Sequence, residues 1–202
     1  RVNGIPADFS WMESFSSKAD ILTRITARGV LGDADRERLG FPTRPYLTGP
    51  VGLDAVYTVA KPGQGRLAAN LDLRDAGMAV ELLDWTKRPG MPGTARATLE
   101  LARGDAVRLS DIALDTAGLA ATGAVELAPD GAVRGVTVAG LSLGATRLAG
   151  DAAPMAGGGW KVNLSGQSLD LRPLRGGKKG KPGDGEDKVP LEVTAALGQV
   201  VL

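Results

Sequence analysis

The chain has 202 residues, enough for one large domain or two small ones. Its 24 Lys+Arg nearly cancel its 23 Asp+Glu, so no global field draws it to nucleic acid or to an acidic substrate. It contains no Cys and no His, which excludes a disulfide framework, thiol chemistry, and the commonest general base and metal ligand.

Hydrophobic residues reach 43% while aromatics stay at 4%, and Gly is abundant at 29. That mixture suits a turn-rich β protein whose apolar surface is Leu, Val and Ala rather than large rings. No 18-residue apolar stretch and no signal-peptide pattern occurs. The chain opens inside what reads as a β segment and closes on the apolar run Val200-Val201-Leu202, so it is expected to be a piece of a longer protein.

Residues 1–46 are expected to form a β-hairpin and a short helix leading into a sheet. Phe9, Trp11 and Phe15 fit a period of two, although Trp11, Phe15 and Ala19 also fit a helical face. ILTRITARGV (21–30) reads as a strand, rich in β-branched residues. DADRERL (33–39) reads as the one helix, with Asp33 as its cap and Gly40 closing its end. Pro42 and Pro45 block its extension.

From Val51 the period is two. Val51, Leu53, Ala55, Tyr57 and Val59 share one face, and KPGQG (61–65) reverses the chain into Leu67, Ala69, Leu71 and Leu73. Met78, Val80 and Leu82 lead into LDWTKRPGMPG (83–93), where Trp85 is expected to fix a bend by stacking on a prolyl ring. Ala95, Ala97, Leu99 and Leu101 follow, then a turn at Arg103-Gly104-Asp105. Next come Val107 and Leu109, Ile112 and Leu114, and Leu119, Ala121, Val125 and Leu127. Pro129-Asp130-Gly131 is the strongest hairpin signal. Val136, Val138, Leu141, Leu143 and Leu148 precede a Gly-Gly-Gly turn and Trp160, Val162 and Leu164, with Trp160 an inward anchor. GGKKGKPGDGEDK (176–188) breaks the pattern, so residues 175–188 read as a flexible loop. Residues 189–202 resume alternation as continuing strands.

No motif for chemistry emerges. Asp54, Asp72, Asp75, Asp84, Asp105, Asp111, Asp115, Asp151 and Asp170 fall on polar strand positions or in turns, not in a converging pair. GxSxG and GxxxxGK[ST] are absent, and no acidic spacing matches a calcium loop. The local basic cluster of Arg172, Arg175, Lys178, Lys179 and Lys181 suits anionic headgroups, or else a solvated loop balanced by Asp184, Glu186 and Asp187. The chain is therefore expected not to be an enzyme and to need no cofactor or metal.

Leu47-Thr48-Gly49-Pro50-Val51, Leu71-Asp72-Leu73-Arg74-Asp75-Ala76 and Leu83-Asp84-Trp85-Thr86-Lys87 occur in that order, the last followed by Pro89-Gly90 and Pro92-Gly93. Ala121-Thr122-Gly123, Pro129-Asp130-Gly131, Gly158-Gly159-Trp160 and Leu169-Asp170-Leu171-Arg172-Pro173-Leu174 continue the series. Across 47–174 this order resembles the AsmA-like superfamily of bacterial envelope proteins, closest to its YhdP-like branch and more distantly to TamB. The resemblance implies an all-β fold: an elongated, curled antiparallel sheet forming an open hydrophobic groove, or β-taco. It also implies a bridge-like protein, anchored in the inner membrane and crossing the periplasm, along which phospholipids pass to the outer membrane. Its implied partners are phospholipid acyl chains, the two membranes through other parts of the chain, and envelope proteins; nucleic acid is not among them.

Alternation alone then places Val51, Leu53, Val59, Leu71, Leu73, Leu99, Leu101, Leu114, Val125, Leu127, Val138, Val162 and Leu164 along the groove. With almost no helix to cover that face, a second sheet, a curled sheet or lipid must do so. The competing expectation is a structural β module, a solenoid or sandwich stalk of adhesin type with a closed, dry core. A carbohydrate-active protein would need a carboxylate cleft and surface aromatics, which are too few.

Overall fold

Eleven strands hydrogen-bond into one sheet, and three short segments form a second. The computed structural model describes residues 4–16, 19–81, 84–172 and 190–202. The large sheet contains β1 (Ala7–Glu13), β2 (Thr23–Leu31), β4 (Val51–Lys61), β5 (Gln64–Asp72), β8 (Gly93–Ala102), β9 (Asp105–Thr116), β10 (Leu119–Leu127), β11 (Val133–Leu143), β12 (Thr146–Pro154), β13 (Trp160–Asp170) and β14 (Leu191–Val201), in that spatial order. It is curled but not closed into a barrel, since β1 and β14 are its two edges. The small sheet has the order β3 (Leu47–Thr48), β6 (Gly77–Val80), β7 (Trp85–Lys87).

Meandering order follows from the turns. Gly63, Gly104 and Gly131 all take positive φ, which a residue without Cβ adopts freely. The Pro129-Asp130-Gly131 turn is closed by Gly131 N–H on the Ala128 carbonyl at 2.8 Å and by Ala132 N–H on the Asp130 carboxylate at 3.0 Å. The opening segment forms a strand rather than a helix, with Phe9 opposite Ala27 and Trp11 opposite Ile25 in an antiparallel hairpin.

Three expectations are corrected. The sheet is not wholly antiparallel: β14 runs parallel to β13, with Val162 beside Val193. A parallel neighbour needs a crossover of a dozen or more residues, and the stretch from Asp170 to Leu191 supplies it. The expected loop at 175–188 lies outside the described residues, as do Leu82 and Leu83. The segment 77–87 does not extend the main sheet but builds the small one. Finally, the helix spans Asp33–Arg38, and Gly32, not Asp33, is its N-cap. Gly32 N–H donates to the Asp35 carboxylate at 3.0 Å.

Asp33 is instead the centre of a clip. Its carboxylate accepts from the guanidinium groups of Arg36 and Arg44 and, at 2.9 Å, from Gly49 N–H. Arg36 is buried and also donates to the carbonyls of Leu31 at 2.9 Å and Gly49 at 2.8 Å. The helix is thereby tied to the end of β2 and to the turn between β3 and β4.

The small sheet lies over one end of the large one. Val51, Leu73 and Ala76 form the buried cluster there, packed by Leu47, Leu71, Met78, Ala95 and Leu114. Lys87 passes through this layer and is 2% exposed. Its Nζ donates to the carbonyls of Leu73 at 2.7 Å, Ala76 at 2.8 Å and Arg74 at 3.1 Å. The turn before β6 carries those carbonyls; Leu73 and Arg74 also accept from the N–H groups of Ala76 at 3.1 Å and Gly90 at 2.8 Å, and Lys87 supplies the donor to the Ala76 carbonyl. Gly93 makes the passage possible, because a Cβ there would stand 2.7 Å from Lys87 Cε.

Lys87→Met keeps the bulk of the side chain but leaves the Ala76 carbonyl without its donor, and is expected to cost about 2 kcal/mol. A lower urea midpoint with an unchanged slope checks this. The hydrogen bond from Arg44 holds the Asp33 carboxyl below its ordinary value of 3.8. A depressed carboxyl pKa adds stability that is complete above the unfolded value and disappears as pH falls through the folded one. Stability should therefore decline as pH drops below about 4. Asp33→Asn, compared with wild type in melts from pH 6 to pH 2.5, should remove part of that decline.

Candidate functional site

Side chains directly opposite one another on paired strands lie on the same face, so register reveals which residues the fold brings together. One row can be followed without interruption through every strand of the large sheet. It runs Trp11, Ile25, Tyr57, Leu67, Leu99, Leu109, Val125, Val136, Ala152, Val162, Val193. A second row runs Leu53, Leu71, Ala95, Leu114, Ala121, Leu141, Leu148. Both lie on one face. Val51, Val59 and Leu73 join it on β4 and β5, Leu101 on β8, and Leu127 on β10, where it faces Val133. Val138 faces Gly123 and Gly150, and Gly150 faces Leu164. All positions expected from alternation to line a groove therefore share one side of the sheet.

Strict alternation does not achieve this. Leu109 and Leu114 are an odd number of residues apart, as are Val138 and Leu141, so each pair would point to opposite faces in a regular strand. A bulge between them restores the phase. In β9 the extra residue lies in the stretch 110–113, where Asp111 has φ 51, a left-handed conformation Asp tolerates better than most residues. The Asp111 carboxylate is paired with Arg66 at 3.2 Å. In β11 the extra residue lies in the stretch 138–141, opposite Thr122 and Gly123. Gly123 is required there, since a Cβ would lie 2.2 Å from the Thr137 carbonyl oxygen.

The opposite face carries charge. Arg66, Glu100, Arg108 and Glu126 are consecutive cross-strand neighbours of alternating sign. Arg108 and Glu126 meet at 3.3 Å, and farther along Lys161 and Glu192 meet at 3.2 Å. The aspartates singled out from sequence are dispersed: Asp54 pairs with Arg28, Asp151 accepts from Asn163, and Asp72 accepts from Arg74 N–H. Asp170 pairs with Arg172, and the hydrogen bonds from that residue hold its carboxyl below the ordinary range. Among the described residues no three acidic groups are grouped to hold a metal.

The sheet is hollow on both faces, as a strongly twisted sheet is when it bends one way along its strands and the other way across them. On the face that carries Asp54, Thr94 and Asp115 a hollow of about 1550 Å³ crosses β1 to β13, lined by these and by Asn70, Arg96 and Thr122 together with Leu53, Leu71, Ala95, Leu114, Leu141 and Leu148 of the second row. It was not foreseen. Gly52, Ala113, Ala120, Gly140 and Ala149, small residues in its lining, are its sequence signal. On the apolar face a cavity of about 710 Å³ lies between Trp85 and the side chains of β11 to β13. Trp85 is 8% exposed, and its indole N–H donates to the Ala117 carbonyl at 3.3 Å. Trp160 opens β13 half-buried, at the rim.

Burial separates the two ends of the apolar face. Under the small sheet Val51 and Leu73 are 2% exposed. Along the row from Ile25 to Val162 every residue is only half-buried, and at the margins Trp11 and Val193 are exposed.

Deleting Ala139 should turn Leu141 and Leu143 to the polar face, giving a broadened melt and increased binding of an apolar dye. Ala139→Ser, at the same exposed position, should stay within about 0.5 kcal/mol of wild type.

No protein-family model, curated protein or solved structure matches this chain.

Proposed function

We propose that this chain is a section of an envelope protein that conducts phospholipids along the apolar face of its sheet, from inner to outer membrane across the periplasm, in support of outer-membrane assembly. The chemistry required is passive. A sliding acyl chain needs a continuous apolar wall and no preorganised polar site, and the cross-strand row from Trp11 to Val193 has that character. Phospholipid acyl chains are the ligand, the sheet is the conduit, and no catalytic group takes part.

The observation that carries this reading is the half-burial of that row. In a closed β core the inner residues of facing sheets interdigitate and lose nearly all exposure. Here an apolar side chain from each strand lies in line and none of them is buried. Leaving a row of Leu, Val and Ile partly accessible to water forfeits at most about 0.5 to 1 kcal/mol per residue of available burial. Lipid recovers it. The dry-core alternative, a structural stalk, fits only the end covered by the small sheet.

Purification from bacterial membranes in mild detergent, followed by native mass spectrometry and lipid extraction, tests the proposal. Phospholipid should accompany the wild type and be lost at least severalfold from Leu99→Asp and Leu127→Asp, with the β circular dichroism signal preserved. Recovery of a lipid-free, monodisperse protein, or unfolding of both variants as expected for a buried unpaired charge, overturns it in favour of the stalk.

A further inference from the structure

β1 is one of the two edges of the large sheet, and among the described residues no strand lies along its outer side. The direction of its backbone groups follows from two contacts. Ser14 N–H donates to the Leu22 carbonyl at 2.7 Å, and the Pro6 carbonyl oxygen lies 2.8 Å from where a Cβ on Gly29 would stand. Both groups face β2. In the regular ladder between them Asp8, Ser10 and Met12 therefore turn N–H and C=O toward β2, while Ala7, Phe9, Trp11 and Glu13 turn theirs outward. A row of outward groups is a template for another strand, and the usual protections are missing. Within β1 there is no Lys, no Pro and no bulge, and Phe9, Trp11 and Met12 are 51%, 65% and 50% exposed. The residues leading into β1 do not shield the edge: Ile5 is buried, and a Cβ on Gly4 would stand 3.9 Å from the Arg38 guanidinium of the helix.

The strand fits a second copy of itself. A two-fold axis through Ser10, normal to the sheet, sets two β1 strands antiparallel with Phe9 opposite Trp11 and Ala7 opposite Glu13. All four positions carry outward backbone groups, so each pair exchanges hydrogen bonds, whereas a slip of one residue would set outward groups against inward ones. Of the registers that match, this one uses all seven residues of the strand. It places a Phe9–Trp11 aromatic pair on either side of the axis, on the apolar face of both copies. Charges are compatible as well. Asp8 faces Met12 of the second copy, beyond which stands that copy's Arg24, so no like charges meet at the join. Covering the exposed parts of Phe9, Trp11 and Met12 in both copies removes at most roughly 700 Å² from water. With the edge backbone added this is a small interface, and association is expected on the order of micromolar.

We propose that β1 is a homotypic docking edge: two copies of this chain join antiparallel through residues 7–13, about Ser10, so that one sheet and one apolar face run through both. The inference stands apart from the lipid reading, since it needs only the edge backbone and the aromatic pair.

Thiol crosslinking reads this register directly, because the full chain has no Cys of its own. On the axis, Ser10 and its counterpart form a non-hydrogen-bonded pair with Cα atoms about 4.5 Å apart, within the span of a disulfide. Under mild oxidation at micromolar concentration, Ser10→Cys should give a disulfide-linked dimer at least about tenfold faster than Asp130→Cys, placed in an exposed turn. Asp8→Cys and Met12→Cys should each crosslink slowly alone, their counterparts being about 14 Å away, and rapidly when the two variants are mixed. Adding Trp11→Lys to Ser10→Cys should remove the rate advantage, with the melt in dilute solution unchanged. Without any thiol, wild type should sediment as a concentration-dependent monomer–dimer mixture that Trp11→Lys shifts to monomer. Crosslinking of Ser10→Cys no faster than the turn control, or a wild type that stays monomeric at every concentration, overturns the proposal. Rapid crosslinking of Asp8→Cys alone overturns the register. Preferential crosslinking of Ser10→Cys to Thr194→Cys on β14 overturns the two-fold pairing in favour of a head-to-tail contact between the two edges.

Discussion

The large sheet depends on keeping eleven strands in phase, so that the residue each contributes to a cross-strand row points to the same side. Side-chain direction in a strand has a period of two, and a slip of one residue sends every following side chain to the other face. The row through Leu67, Leu99, Leu109 and Val125 survives because the strands are irregular where they must be. The bulges in β9 and β11 insert one residue each and return Leu114 and Leu141 to the side held by Leu109 and Val138. Asp111, in a left-handed conformation, and Gly123, whose missing Cβ makes room for the Thr137 carbonyl, permit this. On the other face the alternating charges of Arg66, Glu100, Arg108 and Glu126 reinforce the same register, since a slip would separate the opposite charges.

The ends of the strands are treated differently. At one end the small sheet, the helix and the Asp33–Arg36 clip cover the apolar face and build the only closely packed cluster among the described residues. Lys87 is central to that layer, because its Nζ joins three carbonyls of one turn and is the side-chain donor of the Ala76 carbonyl. Leaving the Ala76 carbonyl unpaired would remove about 2 kcal/mol from a total that for a domain of this size is on the order of 10 kcal/mol. Away from that end and from Trp85, no described segment covers the apolar face, and the described sheet holds together through its ladders and cross-strand contacts. This division suits a conduit: a fixed, packed end sets the shape, and an accessible wall leaves room for a ligand. A second hollow lies on the other face, where Asp, Arg and Thr side chains and leucines of the second row line it together.

Much of the architecture was legible because the turns are explicit. Gly63, Gly104 and Gly131 mark reversals wherever a strand ends, and the alternation between them names the apolar face. Even the phase breaks are visible, in the odd spacing of Leu109 and Leu114 and of Val138 and Leu141, since a face kept apolar across an odd interval demands a bulge. The helix at Asp33–Arg38 was legible from its charge pattern and from Gly40, but its cap was not: Asp33 is drawn away by Arg44 and Gly49, which lie far along the chain.

What the chain determined by itself was local: the strand period, the reversals, and which side chains belong together on a face. These depend on residues a few positions apart and on backbone sterics. Tertiary structure alone decided that β14 joins the sheet parallel, that residues 77–87 leave it to form a roof, and that Lys87 and Arg36 are buried. It also decided where Trp85 encloses a cavity and where the sheet curls. Those outcomes depend on carbonyls and side chains brought together from distant segments, and on the summed twist of many strands, neither of which has a local signal to read.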